Sequence, residues 1–444
     1  MECDSPWRYD FLGTSSTIVT DRGIARRIFF NNGATPLVTR VVEDNIRELF
    51  PCFTYMNEMN CNSKFLTDKY DQVRSTIAEF LQVNMNENQI IFSRTATEGL
   101  NLIAHLLQEI VPEARVLTTV MEHMANYLPY VMRMPTDVVP LAADGTLDLN
   151  QYEQLLKNGQ GKIKLVAVTA ASNLTGYVPP VYRMAKIAHQ YGAKILVDAV
   201  QAVWHFPFSM QGPTRDQDLD FVVFAGHKCY TGLSGAAVIG PKTFFARRAA
   251  PMLYGAGMNQ YTDLNRVILE DPPALYEAGY PDIVGITSMG TALEYLNCCH
   301  LSSIHQYERE LRKYLVRKLQ EVPHLVIYGP DPLSEEMCEN AIPYVSFNID
   351  GIDPKELARI LGYYYGIGVA AGVAGADIYT GQLLGLTPNE LYDRYLNGIS
   401  YATVRISLAM FNTRTEIDCV IRVLNKICLE KKIRSPGLGS YWKL

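Results

Sequence analysis

From residue 89 to about 290, short apolar runs alternate with segments of helical spacing. The runs are QIIFSR (89–94), RVLTTV (115–120), KLVAVTAAS (164–172), KILVDAV (194–200), DFVVFAG (220–226) and GAAVIG (235–240). Several are apolar throughout rather than at alternate positions, the pattern of strands covered on both faces in parallel sheets. Between them, Leu100, Ile103, Ala104 and Leu107 fall at i, i+3, i+4, i+7, as do Met184, Ile187, Ala188 and Tyr191 after Pro179-Pro180. Both sets predict helices with one apolar face. Strand–helix alternation predicts an α/β unit with a mostly parallel sheet, whose ligands bind beyond the carboxyl ends of the strands.

After about residue 290 the pattern changes. A charged helical segment (304–321) precedes the strand-like HLVIYGP (324–330) and YVSFNID (344–350), and a helix is expected over 354–364. A loop of little side-chain bulk follows (GIGVAAGVAGAD, 366–377), then a strand in ATVRISLAM (402–410) and a helix over 414–430. This predicts a smaller α+β domain. The expected division is an N-terminal segment (1–30) packed on one of the domains, a large domain (31–290) and a small one (291–444). A chain of 444 residues suits two domains.

Composition narrows the class. Apolar residues at 48% and charged residues at 19% describe a globular protein rather than a disordered or fibrous one. A net charge of −6 without Lys/Arg-rich runs argues against nucleic acid. No apolar stretch approaches the roughly 20 residues of a membrane span. The start, MECDSPWRYDFLG, lacks an apolar signal core, so cytoplasmic residence is expected. Nine cysteines, irregularly spaced and without a CxxC pair, predict neither a disulfide framework nor a zinc site.

Four features fall at expected strand ends. Asp198 ends KILVD, with Gln201 three residues on. An acid there caps a turn, or it keeps a pyridine nitrogen protonated, since an adjacent anion raises the pKa of a cation. His227-Lys228 follows DFVVFAG. Such a lysine is a surface turn residue, or an amine whose pKa burial lowers for Schiff-base formation. Thr97-Glu98-Gly99 opens a helix, as an N-cap or as a phosphate cradle of free N–H groups. Glu122-His123 follows VLTTVM, where an imidazole is structural or stacks on a cofactor ring and handles protons. Neither GxGxxG nor GxxxxGK[ST] occurs, so dinucleotide and P-loop sites are unsupported. A strand-end Asp followed about thirty residues later by GHK points to pyridoxal 5'-phosphate (PLP), for which a protonated ring is the electron sink.

The motifs RTATEGLNLIA, MEHMANYLPY, ASNLTGYVPPV, LVDAVQAVWHFPF, LDFVVFAGHK, YEAGYPDIVGI and VRISLAMFN together resemble fold-type I PLP enzymes of the class V aminotransferase group. The cysteine desulfurase and selenocysteine lyase branch is the nearest in pattern. The resemblance implies a large domain on a seven-stranded-type sheet and a homodimer with shared active sites. It also implies Lys228 as the Schiff-base lysine, His123 stacked on the ring, Asp198 at the pyridine nitrogen and Gln201 at the phenolic oxygen. Ala96, Thr97, His227 and Tyr280 would lie at the cofactor or its phosphate. Asn173 would serve cofactor and substrate, Arg405 would bind the substrate carboxylate through paired hydrogen bonds, and Ala34 would touch the substrate.

Departures from that branch bear on the reaction. The sulfur-accepting cysteine of the small-domain loop falls at about Gly375, and no cysteine lies between Cys338 and Cys419. An arginine near the loop start corresponds to Ala370, a serine before the HK pair to Ala225, and a phosphate-contacting threonine to Tyr280. NEMNCNSKFLTDKY (57–70) stands where the branch has an active-site loop. A thiolate is the nucleophile that lifts sulfur as a persulfide, so Cys61 and Cys229 are the replacements to test. The expected reaction is cleavage of a Cβ–heteroatom bond, a C–S lyase or related β-elimination of an L-amino acid. Racemisation or epimerisation, transamination and a non-catalytic cofactor-binding role are the alternatives.

Overall fold

The structure, a computed structural model, describes residues 5–246 and 249–434, without the side chains of 431–434; Cys3 lies outside the described residues. A seven-stranded sheet holds β1 (Asn88–Ser93), β2 (Arg115–Thr119), β3 (Thr136–Val139), β4 (Ile163–Thr169), β5 (Lys194–Asp198), β6 (Phe221–Ala225) and β7 (Ala236–Pro241). The order is β1-β7-β6-β5-β4-β2-β3. Neighbours run parallel except β7, which is antiparallel to both β1 and β6. Every residue of β6, and all of β5 after Lys194, is buried, as their unbroken apolar runs require. Edge strand β3 escaped the sequence reading. It is four residues long, three of them only partly buried, and its Asp137 meets Arg115 at 2.8 Å.

Helices α1 (Arg40–Leu49), α2 (Cys61–Phe80), α3 (Ala96–Ile110), α4 (Met124–Val131), α5 (Leu149–Asn158), α6 (Val181–Gln190) and α7 (Ile283–Cys298) flank this sheet. The segment 57–70, set against a loop of related enzymes, is helical from Cys61 onward. Residue 290, the expected domain boundary, lies inside the continuous helix α7, which packs on α1 and α2. We place the division at the turn before α8 (Leu301–Gln320).

The smaller unit is built on β8 (Leu325–Tyr328), β9 (Tyr344–Ile349), β10 (Ala370–Gly372) and β11 (Thr403–Ser407). Their order is β8-β9-β11-β10, antiparallel throughout. With α8 go α9 (Pro354–Tyr365), α10 (Asp377–Leu383), α11 (Pro388–Leu396) and α12 (Arg414–Arg434). The expected loop 366–377 therefore contains β10, and also Ile367–Gly368, paired in parallel with Ile28–Phe29. Ile28 and Phe30 enter the core of Leu315, Phe347 and Val404, so the end of the N-terminal segment packs on the smaller unit. Six strands of the large sheet end on one rim, at Ser93, Thr119, Val139, Thr169, Asp198 and Ala225.

Candidate active site

That rim opens into a cavity of about 500 Å³, within the roughly 300–1,000 Å³ of small-ligand sites. Ala34, Ala96, Thr97, His123, Asn173, Asp198, Gln201, His227, Lys228 and Arg405 all line it. Tyr280, expected at the phosphate, does not. It is 53% exposed and donates its hydroxyl to the Thr54 carbonyl at 3.0 Å, so it is not part of the cavity of its own chain.

The chain turns sharply after β6, and a short 3-10 helix (Gly226–Lys228) drives the lysine back across the strand ends. Lys228 Nζ donates to the carbonyls of Gly33 (2.7 Å) and Ala34. Burial and the Arg405 cation push its amine down to about 7, against an upward pull from Asp198. Asp198 has the opposite problem. Burial raises its carboxyl to about 6, opposed by the Val200 N–H and Lys228, and Oδ1 accepts from Val200 N at 3.0 Å. A protonated ring nitrogen beside it would supply the missing countercharge.

The cap of α3 is Thr95 rather than Thr97. Thr95 Oγ1 accepts from Glu98 N at 3.2 Å, while Ala96 and Thr97 form the first turn on the cavity wall. A helix start of this kind suits phosphate. Gly99 lets α3 approach the sheet, since a Cβ there would stand 2.4 Å from Val238 Cγ2. His227 is pushed down to about 4, first by desolvation and then by Lys228 and His123. His123 caps α4, its Nδ1 accepting from Ala125 N at 3.1 Å. Desolvation and then Lys228 lower its pKa as well, which places the proton of the neutral ring on Nε2. Beneath it, Glu122 accepts from Thr119 (2.6 Å) and Asn126 (2.7 Å), and burial raises its carboxyl to about 8.

Arg405 is buried. It donates to the Asn173 carbonyl at 2.6 Å and to Asn31 Oδ1 at 3.3 Å; these partners are uncharged, so its charge remains available to an anion. Asn173 Nδ2 donates to the Ala374 carbonyl at 2.8 Å, and Met124 N to the Gly375 carbonyl at 2.7 Å. These bonds fold the 373–376 loop over the cavity. Gly375 has φ +71°, and a Cβ on it would lie 2.3 Å from His123 Nε2. Among the described residues, no cysteine lines the cavity. Cys229 is fully buried with its thiol raised to about 12 by desolvation, and Cys61 is exposed at the start of α2.

Sequence reasoning missed Asn31, Gly33, Thr95 and Ala374 on the cavity wall. Gly33 acts through its carbonyl, which no side-chain pattern advertises. Its lack of a side chain has a steric reason, since a Cβ would stand 2.8 Å from Tyr344 Cε2.

An amine in an apolar wall, an unpaired buried carboxylate and a helix start around one cavity fit PLP, and the chain is a PLP-dependent enzyme. It belongs to the class V aminotransferase family, whose pattern it matches over residues 27–420. A cysteine desulfurase of Escherichia coli strain SE11 is 32% identical over 369 residues, covering 81% of this chain and 83% of that protein. The apo cysteine desulfurase from Thermococcus onnurineus NA1 superposes with a TM-score of 0.82 at 26% identity, covering 97% of this chain and 99% of that one. The cysteine desulfurase CsdA of Escherichia coli, in its S-sulfonic acid form, shares the fold with a TM-score of 0.78 at 22% identity, covering 96% and 98%.

Proposed function

We propose that the chain is a desulfurase-like C–S lyase, which cleaves the Cβ–heteroatom bond of an L-amino acid without a loop thiol. The observation that carries this reading is the loop itself. Gly375, near which the resemblance sets the sulfur-accepting position, lies against His123 Nε2, at a cavity lined by Lys228, Asp198 and Arg405 but, among the described residues, by no cysteine.

When bound, PLP supplies the electron sink for the pair left at Cα. Lys228 would hold the cofactor, and its free amine would take up the Cα proton; an amine poised near neutral pH suits that task. The Asp198 carboxylate holds a proton on the ring nitrogen. Arg405 pairs with the substrate carboxylate and fixes the Cα–H bond in position. His123, neutral with Nε2–H toward the loop, stands where a leaving group takes up a proton. The pinned loop keeps water from the site.

The same reading makes the protein a cytoplasmic homodimer in which Tyr280 serves the partner's cofactor. No helix among the described residues is long and apolar enough to cross a membrane.

Borohydride reduction of the holoenzyme followed by peptide mapping should tag Lys228, and Lys228→Ala should lose the tag and the visible absorbance. With cystine or cysteine S-conjugates and no added thiol, the enzyme should release a keto acid, ammonia and the sulfur leaving group in equal amounts. Solvent deuterium at Cα without keto acid, or keto acid without ammonia, would replace this reading with epimerisation or transamination.

A further inference from the structure

Four side chains form a buried line behind the cavity, three of them with no part in the scheme above. Glu308 on α8, His205 beyond β5, Tyr344 at the start of β9 and Gln201 are exposed by 1%, 0%, 0% and 7%. Glu308 Oε2 lies 2.6 Å from His205 Nδ1, and His205 Nε2 lies 3.1 Å from the Tyr344 hydroxyl. That hydroxyl donates to Gln201 Oε1 at 2.9 Å. Gln201 Nε2 donates to the Gly33 carbonyl at 3.0 Å, the same oxygen that receives Lys228 Nζ at 2.7 Å. The line starts in the smaller unit and ends at the Schiff-base lysine.

Its donors run in one direction. A carboxamide has a donating and an accepting end of nearly the same shape, so its surroundings decide which way it faces. Tyr344 gives its proton to Gln201 undivided when His205 Nε2 donates to the phenol oxygen from behind, whereas a bare Nε2 would compete for that proton. His205 Nε2 carries a proton in the neutral ring only while Nδ1 accepts one. Burial raises the Glu308 carboxyl and lowers the His205 imidazole; with the raised carboxyl's proton shared between Glu308 Oε2 and His205 Nδ1 across 2.6 Å, His205 Nε2 keeps its own proton to donate whichever of the two atoms holds the shared one.

We propose that Tyr344, backed by His205 and Glu308, is a positioning residue that fixes the Gln201 amide with its N–H group toward the phenolic oxygen of bound PLP. The proposal rests on the cofactor reading above. An N–H facing that oxygen favours its anionic form, whereas a flipped amide would turn a carbonyl oxygen toward it and disfavour the anion. The line thereby ties the electronics of the site to the seating of the smaller unit on the larger one.

The test is a pH titration of the visible absorbance of bound PLP in purified holoenzyme, with thermal unfolding recorded in parallel. Gln201→Ala and Tyr344→Phe should each raise the midpoint by about one pH unit, a tenfold change in proton affinity. The double variant should match Gln201→Ala alone, because Tyr344 acts through Gln201. Glu308→Gln keeps a side-chain N–H for His205 Nδ1 and should titrate like the parent, while Glu308→Leu should follow Tyr344→Phe. A parental midpoint in Tyr344→Phe or in Gln201→Ala, or additive shifts in the double variant, would overturn the proposal. A parent protein with no visible band would instead overturn the cofactor reading itself.

Discussion

Lys228 and Asp198 sit in one cavity and are displaced from their ordinary pKa values in opposite senses, the amine down to about 7 and the carboxyl up to about 6. Burial is the first cause of both, because it penalises whichever form is charged. For Lys228 the sign favours reaction, since a lowered pKa leaves more free amine at neutral pH. The rate at which apoprotein condenses with PLP should therefore rise up to about pH 7 and then level, whereas an ordinary lysine would keep gaining toward about 10.4; stopped-flow absorbance against pH measures it. Arg405→Gln removes a cation that lowers the amine, so the plateau should move to higher pH. Glu122 behaves differently, its folded pKa lying near 8 against an ordinary 4.5. A raised carboxyl contributes stability below about pH 4.5 and loses it as pH climbs through about 8. Apoprotein Glu122→Gln, which cannot ionise, should overtake the parent by about 3–5 kcal/mol between pH 5 and 9, read by urea unfolding at each pH.

At the scale of elements, the proposed thiol-free reaction turns on the loop between β10 and α10, which holds no cysteine. Gly375 has a positive φ and lies against His123 Nε2. A side chain there carries a left-handed backbone cost of about 1–2 kcal/mol and must also displace the imidazole. Gly375→Cys should lower the melting temperature and form no persulfide on cysteine, as mass spectrometry of the enzyme after turnover would reveal. Gly375→Ala should recover part of its loss when combined with His123→Ala, because the steric term then vanishes. How far such elements were legible follows from what holds them. β4, β5 and β6 announce themselves because both faces are covered and the apolar runs are continuous. β10, three small residues paired to β11 through the backbone, carries no side-chain signal. In the site, residues at strand ends were legible from their own pattern, whereas the loop's share entered only through the resemblance. Ala374 meets Asn173 across 201 positions of chain, a proximity no local pattern encodes.

The whole molecule presents an apolar surface that a single chain leaves open. Leu264, Val267 and Ile268 on the 259–269 hairpin are exposed, as are Tyr254, Phe50, Phe53, Tyr55, Met59 and Tyr280. These segments are joined: Tyr280 donates to Thr54 and stands 6.0 Å from the Tyr55 ring, while Gly279 N donates to the Ala256 carbonyl at 2.8 Å. Exposed apolar residues in number suit an association site, and a two-fold interface of one patch on itself is the commonest way to cover one. Tyr280 lies within the patch and outside its own chain's cavity, where the resemblance expects a phosphate contact. The two facts agree if a second copy brings Tyr280 to the phosphate. Leu264→Asp with Ile268→Asp should then produce a monomer by sedimentation velocity, and that monomer should bind PLP at least about tenfold more weakly, a loss of about 1.4 kcal/mol. Tyr280→Phe should weaken PLP binding without changing the mass. A monomer that holds PLP as tightly as the parent would separate the cofactor site from the interface and leave Tyr280 a surface residue.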